Sequence, residues 1–409
     1  MRIVIAPDKF KGSLSAPEVA RHLDAGLQAA TGHNLDVLRI PVADGGEGTL
    51  DAAVGSGFTR RSAMVSGPTG QPLRADFGVR GREAVIEMAA ASGLAVLPGE
   101  GGSPGRPDSA SARGATSLGT GELIRAALDA GCRQIILGVG GSANTDGGAG
   151  VLQGLGAQLL DADGNDLPPG GAALARLDRI DFSGFDSRLD EARFVLASDV
   201  DNPLLGAEGA AAIFGPQKGA TAGDVGTLDA ALQRFVDVLA AEIGPRAHRA
   251  ADAPGAGAAG GVGYAAIAVL AATRRPGIDV VLEFTGLVDR LDGADLVITG
   301  EGSLDEQSLL GKTPMGVARA AALAGVPVVA VCGRTTLTPQ QQKDSGFRQV
   351  YPLTSLEAKV EICIAEAAPL LEQLGKHIGG ELADLTQASD APAKNTTANR
   401  ARTKEPLNV

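Results

Sequence analysis

Tryptophan is absent from this 409-residue chain, and aromatic residues of every kind make up only 3% of it. A core of that poverty has to be filled by Ala, Val, Leu and Ile, and it favours tight backbone approach over aromatic recognition. Cysteine is nearly as scarce. Cys132, Cys332 and Cys363 are odd in number, far apart and without CxxC spacing, which argues against a disulfide framework and a zinc site and fits a reducing cytoplasm. Basic residues are outnumbered, 36 against 48 acidic. The net charge of −12 argues against a surface that holds nucleic acid or anionic membrane by counterion release. An apolar leader is missing too, since the run Ile3 to Ala6 stops at Pro7-Asp8 and reads as a buried strand. The uncharged stretch Ala253 to Thr273 is long enough to cross a bilayer, but its glycine-rich first half predicts a loop feeding a small-residue helix from Gly263 to Thr273.

What the chain has in excess is glycine, 58 residues, about twice the usual share. Short apolar runs bounded by Gly or Asp predict strands at Ile3 to Ala6, Ile135 to Val139, Phe194 to Ala197, Leu296 to Thr299 and Val328 to Val331. Helical periodicity alternates with them at Ala16 to Ala30, Gly121 to Ala130, Val225 to Ile243 and Met315 to Leu323, and a last helix is predicted from Leu356 to His377. Ser15-Ala16-Pro17-Glu18 is a capping box, which gives Ser15 a structural role. Arg74 to Val79 and Glu83 to Met88 read as a hairpin. This alternation predicts an α/β protein with mostly parallel sheets, whose ligands sit at the carboxyl ends of strands.

Six clusters at those strand ends pair glycine with a carboxylate, hydroxyl or lysine: Asp8 to Ser13, Ala43 to Thr49, Gly138 to Gly148, Asp199 to Pro203, Phe214 to Gly219 and Thr299 to Asp305. Glycine lets successive N–H groups face one concavity, a geometry suited to phosphate oxygens. Gly311-Lys312-Thr313 mimics the end of a P-loop, but Glu306 occupies the position of the required first glycine. Gly138-Val139-Gly140-Gly141-Ser142-Ala143 matches the dinucleotide pattern, with Asp161 at a suitable distance, although the glycine loop continues where a helix should begin. Asp44, Glu47, Asp199, Glu301 and Asp305 are placed for Mg²⁺ and phosphate chemistry, and Lys9, Lys11, Lys218 and Lys312 supply complementary charge. The four histidines stand in no catalytic constellation.

In this order the six clusters resemble the type 1 glycerate kinase family. The segments most specific to it are Ala6-Pro7-Asp8-Lys9-Phe10-Lys11-Gly12-Ser13-Leu14, the Ala43 to Thr49 loop and Ile298-Thr299-Gly300-Glu301-Gly302. The chain departs from the family pattern at Asn144-Thr145-Asp146, where Thr-Asn-Asp is frequent, and at Ser308, where Thr is common. The resemblance implies ATP-dependent phosphorylation of D-glycerate, on the 2-hydroxyl, with Mg²⁺, by two α/β domains enclosing a cleft. It implies a discontinuous first domain, residues 1–73 with 285–382, and an inserted second domain, 74–284; outside the resemblance, the loss of apolar period beyond Gly380 predicts a disordered tail over 383–409. Expected catalytic residues are Asp199, Asp305, Lys218 and Asp44; expected substrate contacts are Asp8, Lys9, Lys11, Ser13 and Asn202. Gly140, Gly141, Ser142, Asp146, Gly300, Glu301, Gly302 and Lys312 are expected at the nucleotide, with Asp44 and Glu301 at the metal. The partners are then glycerate and ATP alone, neither nucleic acid nor membrane, in the cytoplasm. An oxidoreductase built on the Gly138 loop and a non-catalytic nucleotide- or anion-binding protein are the competing readings; the first predicts activity without ATP, the second binding without turnover.

Overall fold

The computed structural model describes residues 1–99 and 105–386. The Ile3-Val4-Ile5-Ala6 run is inaccessible on both faces, as a central strand of a parallel sheet must be. It forms β1 (Arg2–Pro7), flanked on one side by β2 (Asp36–Arg39) and on the other by β11 (Leu296–Leu304), β12 (Val328–Thr335) and β13 (Val350–Pro352). All four pairings are parallel. The chain leaves β1 in one direction to β2 and returns to build β11, β12 and β13 in the other. The gap between the carboxyl ends of β1 and β11 is therefore a topological switch point, where ligands of open α/β sheets bind.

A second sheet holds β3 (Thr59–Ser66), β4 (Pro72–Arg80), β5 (Glu83–Glu87), β6 (Gln134–Gly138), β9 (Arg193–Ala197) and β10 (Thr273–Arg275), in the order β10-β9-β6-β5-β4-β3. Its β3-β4-β5 part is antiparallel and includes the hairpin read from the sequence, turning at Gly81 with φ of +59°. The remaining pairings are parallel. β7 (Gln158–Leu160) and β8 (Arg179–Asp181) form a separate antiparallel ribbon.

Several expectations need correction. A boundary at 73/74 would cut through paired strands, because Val65 faces Leu73 and Met64 faces Arg74 across β3 and β4. At the other boundary, all but the last residue of the helix Gly277–Thr285 falls before residue 285, yet it packs Ile278, Val281 and Phe284 into one core with Val4, Ala6 and Val297 of the first sheet. The helix predicted to reach Thr273 ends at Ala268; Ala271 turns left-handed, and Thr273 opens β10. The last helical region is two helices, Val360–Ala365 and Ala367–Thr386. The second runs past the expected tail start at 383, because Ile378, Leu382 and Leu385 continue its buried stripe against Leu23 and Leu27. The rest of the expected tail, 387–409, lies outside the described residues. Among the described residues no helix is long and apolar enough to cross a membrane.

Candidate active site

A cleft of about 600 Å³ opens over the carboxyl ends of the first sheet, and the second sheet closes one side of it. Asp8 and Lys9 enter from the end of β1, Glu301, Gly302 and Ser303 from β11, Arg334 from β12, Asp44 and Gly46 from the loop after β2, and Gly140 and Gly141 from the loop after β6. Lys11, Ser13, Asp305 and Lys312 also line it. Residues some 300 positions apart thus meet at the switch point.

The β1 turn is held firmly. The Asp8 N–H donates to the Gly300 carbonyl at 2.8 Å. The Asp8 carboxylate accepts from the Lys9 N–H and the Thr313 hydroxyl, both at 2.7 Å. Asp8 is only 7% exposed. Burial, with Asp44 nearby adding repulsion, pushes it up to about 6 against the opposing pull of Lys9 and Thr313. Glu301 is pushed up to about 7, chiefly by burial, while the Ser308 hydroxyl and Lys312 resist and Asp8 and Asp305 reinforce the shift. Its Oε1 is buried with no hydrogen-bond partner among the described residues. The Lys9 ammonium donates to the Glu47 carbonyl at 2.5 Å. Among the described residues Lys11, Lys312 and Arg334 make no ion pair within 4 Å; the one hydrogen bond of the Arg334 guanidinium is a long one, 3.4 Å, to the Ser303 hydroxyl. In so acidic a chain, cations left unpaired beside desolvated carboxylates form an electrostatic demand that a bound anion with a divalent cation meets.

The residues present fit a magnesium-bound phosphate donor. No three acidic, His or Cys side chains among the described residues cluster as a self-sufficient metal centre. Mg²⁺ on substrate phosphates needs only one or two carboxylates, and the free buried oxygen of Glu301 is such a ligand in waiting.

The two sheets meet at a seam of bare backbone. A Cβ on Gly140 would stand 2.8 Å from the Gly46 Cα, one on Gly138 would stand 2.4 Å from the Gly45 carbonyl oxygen, and one on Gly277 would overlap the Asp44 carbonyl oxygen. This approach sets Asp44 beside Gly140, and Gly277 anchors Asp199, whose Oδ1 accepts from the Gly277 N–H at 2.8 Å. Partial burial and the nearby Asp44 push Asp199 up to about 6, opposed by that N–H and by Arg274. Asp199 therefore neighbours the cleft without lining it.

Other expected residues lie elsewhere. Lys218 is 1% exposed and donates to the Asn144 carbonyl at 2.5 Å; burial pushes it down to about 7 against the pull of Asp146. It does not reach the cleft, because its ammonium is committed inside the second half of the molecule. Asp146 is likewise buried, accepting from the Ser117 N–H at 2.8 Å, the Ser117 hydroxyl, the Asn144 amide at 2.8 Å and the Gly148 and Gly150 N–H groups. Ser142 is buried behind Gly141, and the Asn202 amide donates to the Glu208 carbonyl. Gly300 contributes its carbonyl to Asp8 and is otherwise packed on Val331. The Ser13 hydroxyl, although in the cleft, donates to the Ile364 carbonyl at 2.7 Å. The Gly138 loop does not run into a helix, which begins only at Ala149, and Asp161 merely closes a turn with Asn165. This arrangement removes the geometry of a dinucleotide fingerprint.

Sequence reasoning missed three residues. Arg334 follows an apolar run and reads as a surface charge until β12 carries it to the cleft. Thr313 reads as part of a failed P-loop, yet it orients Asp8. Glu87, at the end of β5, accepts from the Leu50 N–H at 2.5 Å and is pushed up to about 7, chiefly by burial; it ties the Asp44 loop to the second sheet. Only the proximity of Thr313 to the Gly311-Lys312 signal was available beforehand.

The profile of the glycerate kinase family matches residues 3–383. A glycerate kinase of Bacillus subtilis is 44% identical over 385 residues, spanning 93% of this chain and 98% of its own. The protein named glycerate 2-kinase in Escherichia coli is 44% identical over 339 residues, 82% of this chain and 86% of that one. A crystal structure assigned to glycerate kinase 2 of Salmonella typhimurium LT2 superposes with a TM-score of 0.79 at 42% identity, covering 94% of this chain and 98% of that chain.

Proposed function

The chain belongs to the glycerate kinase family, and from that premise we propose how its cleft carries out phosphoryl transfer. The protein is a kinase acting on glycerate. The donor is ATP and the acceptor oxygen is the 2-hydroxyl, giving 2-phosphoglycerate and ADP. The observation that carries this reading is the convergence of unpaired Lys11, Lys312 and Arg334 with the free buried oxygen of Glu301 in one cleft at the switch point.

Phosphoryl transfer asks a protein mainly for alignment and charge neutralisation. Mg²⁺, when bound, neutralises charge on the donor phosphates, and Glu301 holds it. Of the two carboxylates expected at the metal, Asp44 lies instead on the far side of β1 from Glu301, at the seam. Lys9, fixed by the Glu47 carbonyl, and Lys312 bind phosphate oxygens; Asp305, held by its own turn with Gln307 and Ser308, keeps the β11 loop in place. The proton of the acceptor hydroxyl passes to the Asp44–Asp199 pair, of which Asp44 lines the cleft; burial, with Asp44 adding repulsion, raises Asp199 only to about 6, which leaves it mostly ionised at neutral pH and able to take up a proton. Lys218 and Asp146 act on the Gly138–Gly148 loop from behind. The sheet membership supports a domain division at about residues 58 and 276.

A coupled assay of ADP release, with glycerate present or omitted, tests the activity, and phosphorus NMR of the product tests the position. Release that needs both ATP and glycerate, with a 2-phosphoglycerate signal, is expected; turnover without glycerate, or none with it, overturns the reading. Asp199→Asn is expected to lower kcat about a hundredfold, and a near-normal rate moves the proton acceptor elsewhere.

A further inference from the structure

Strand order gives the cleft a direction. At its β12 side stand Gly333 and Arg334, and over them the short helix Val360–Ala365 presents Val360, Cys363 and Ile364. Glu301, Ser303 and Lys312 occupy the middle, and Asp44 and Gly46 meet Gly140 and Gly141 at the β2 side. Three strand intervals, about 14 Å, separate the two sides.

The ends differ in chemistry. Ile364 is 46% exposed, a large aliphatic side chain presented to the same cleft as Arg334 and Lys312. It is held there, because its carbonyl accepts the Ser13 hydroxyl at 2.7 Å, and Cys363 beside it is anchored in the core, its thiol donating to the Glu357 carbonyl at 3.1 Å. Val360 is half-buried one turn earlier. The β2 end has no such surface, only the carboxylates of Asp44 and Glu47 and the backbone of Gly46, Gly140 and Gly141. Glycerate carries oxygen on all three of its carbons and has no apolar face to cover. A purine nucleoside has a large one.

We propose that the purine nucleoside of the phosphate donor rests against the Val360–Ile364 wall, so that its phosphates run past Arg334 and Lys312 and the acceptor acid occupies the glycine-lined end beside Asp44. This rests on the glycerate kinase reading and adds the polarity of the cleft. Of the expected acceptor contacts, Ser13 falls on the nucleotide side by its bond to Ile364, and Lys11, whose backbone nitrogen closely approaches Gly302, falls in the middle of the cleft.

The test replaces the wall without touching the charges. In Ile364→Ser and Val360→Ser, KM for ATP and the binding constant of ADP are expected to weaken about tenfold, the worth of one lost apolar contact of this size. KM for glycerate and inhibition by inorganic tripolyphosphate should stay within about twofold. Equal weakening of ADP and tripolyphosphate, or a raised KM for glycerate with KM for ATP unchanged, overturns the proposal. Photolabelling of the wild-type protein with 8-azido-ATP keeps it falsifiable if a variant fails to fold. Label in the peptide 356–366 supports the wall, and label in 138–148 overturns it. A wild-type protein that binds ADP but does not phosphorylate glycerate sinks the kinase reading alone. One that phosphorylates glycerate with label on 138–148 sinks the wall alone.

Discussion

Two glycine-rich clusters of this protein contain the same kinds of residue and put them to opposite use. Around Asp146, at least five donors converge on one carboxylate and the Lys218 ammonium is turned onto a backbone carbonyl; two neutral oxygens, Asn144 Oδ1 and Thr145 Oγ1, are left over, but the charges are met internally. Around Glu301 the reverse holds among the described residues: a buried carboxyl oxygen has no donor, and Lys11, Lys312 and Arg334 have no carboxylate within 4 Å. Glycine with Asp and Lys therefore does not mark a site. Unmet charge does.

The largest effect that can break this contrast is on stability. Asp146→Ala leaves several buried donors unpaired and is expected to destabilise the protein by about 3–5 kcal/mol, read by denaturant unfolding. A variant that is as stable as wild type but inactive would put Asp146 in the site after all. Next, Glu301→Gln is expected to lower kcat/KM about a hundredfold, roughly 2.7 kcal/mol, with a melting temperature equal to or above wild type, since it relieves a desolvated carboxylate. Loss of stability with activity retained would make Glu301 structural. Arg334→Ala comes third, with KM for ATP raised about tenfold and no change in melting temperature; an unaltered KM would leave that guanidinium without a task.

The smallest effect sharpens the contrast through its sign. Asp8, Asp199, Glu87 and Glu301 titrate higher in the folded protein, at about 6, 6, 7 and 7, than in the unfolded chain. The native state then holds more protons, and ligand-free stability falls as pH rises from about 4 to 7. Lys218 has the opposite sign: its folded value of about 7 is depressed, so the penalty for burying its charge fades as pH rises from 7 towards 10.5. Melting temperature against pH should move by a few degrees on each limb. Glu301→Gln should flatten the lower limb alone, and Lys218→Met the upper one alone.

Legibility from the sequence followed the same division between local and distant causes. β1 and β11 are plain because strands buried on both faces are written as unbroken apolar runs. β2, Asp36–Arg39, and β10, Thr273–Arg275, are polar edge strands whose only signature is the pairing itself. The break between the halves escaped notice because β3 joins the second sheet through hydrogen bonds to β4, and composition does not change there. In the cleft, the β1 and β11 loops announce themselves through glycine beside charge. The fate of Lys218 is decided by a carbonyl 74 positions away, and that of Arg334 by how far β12 runs before it ends. No local pattern encodes either.

The methyl-free junction of Gly45, Gly46, Gly138, Gly140 and Gly277 has a consequence for how this enzyme can change. Where a binding wall is made of side chains, evolution or an engineer widens it by trimming one. With the polarity proposed above, the wall against the small acid is the main chain itself, already at its minimum bulk, so bulkier acceptors would be admitted only by moving two sheets apart, whereas donor preference would stay open to ordinary substitution at the opposite end.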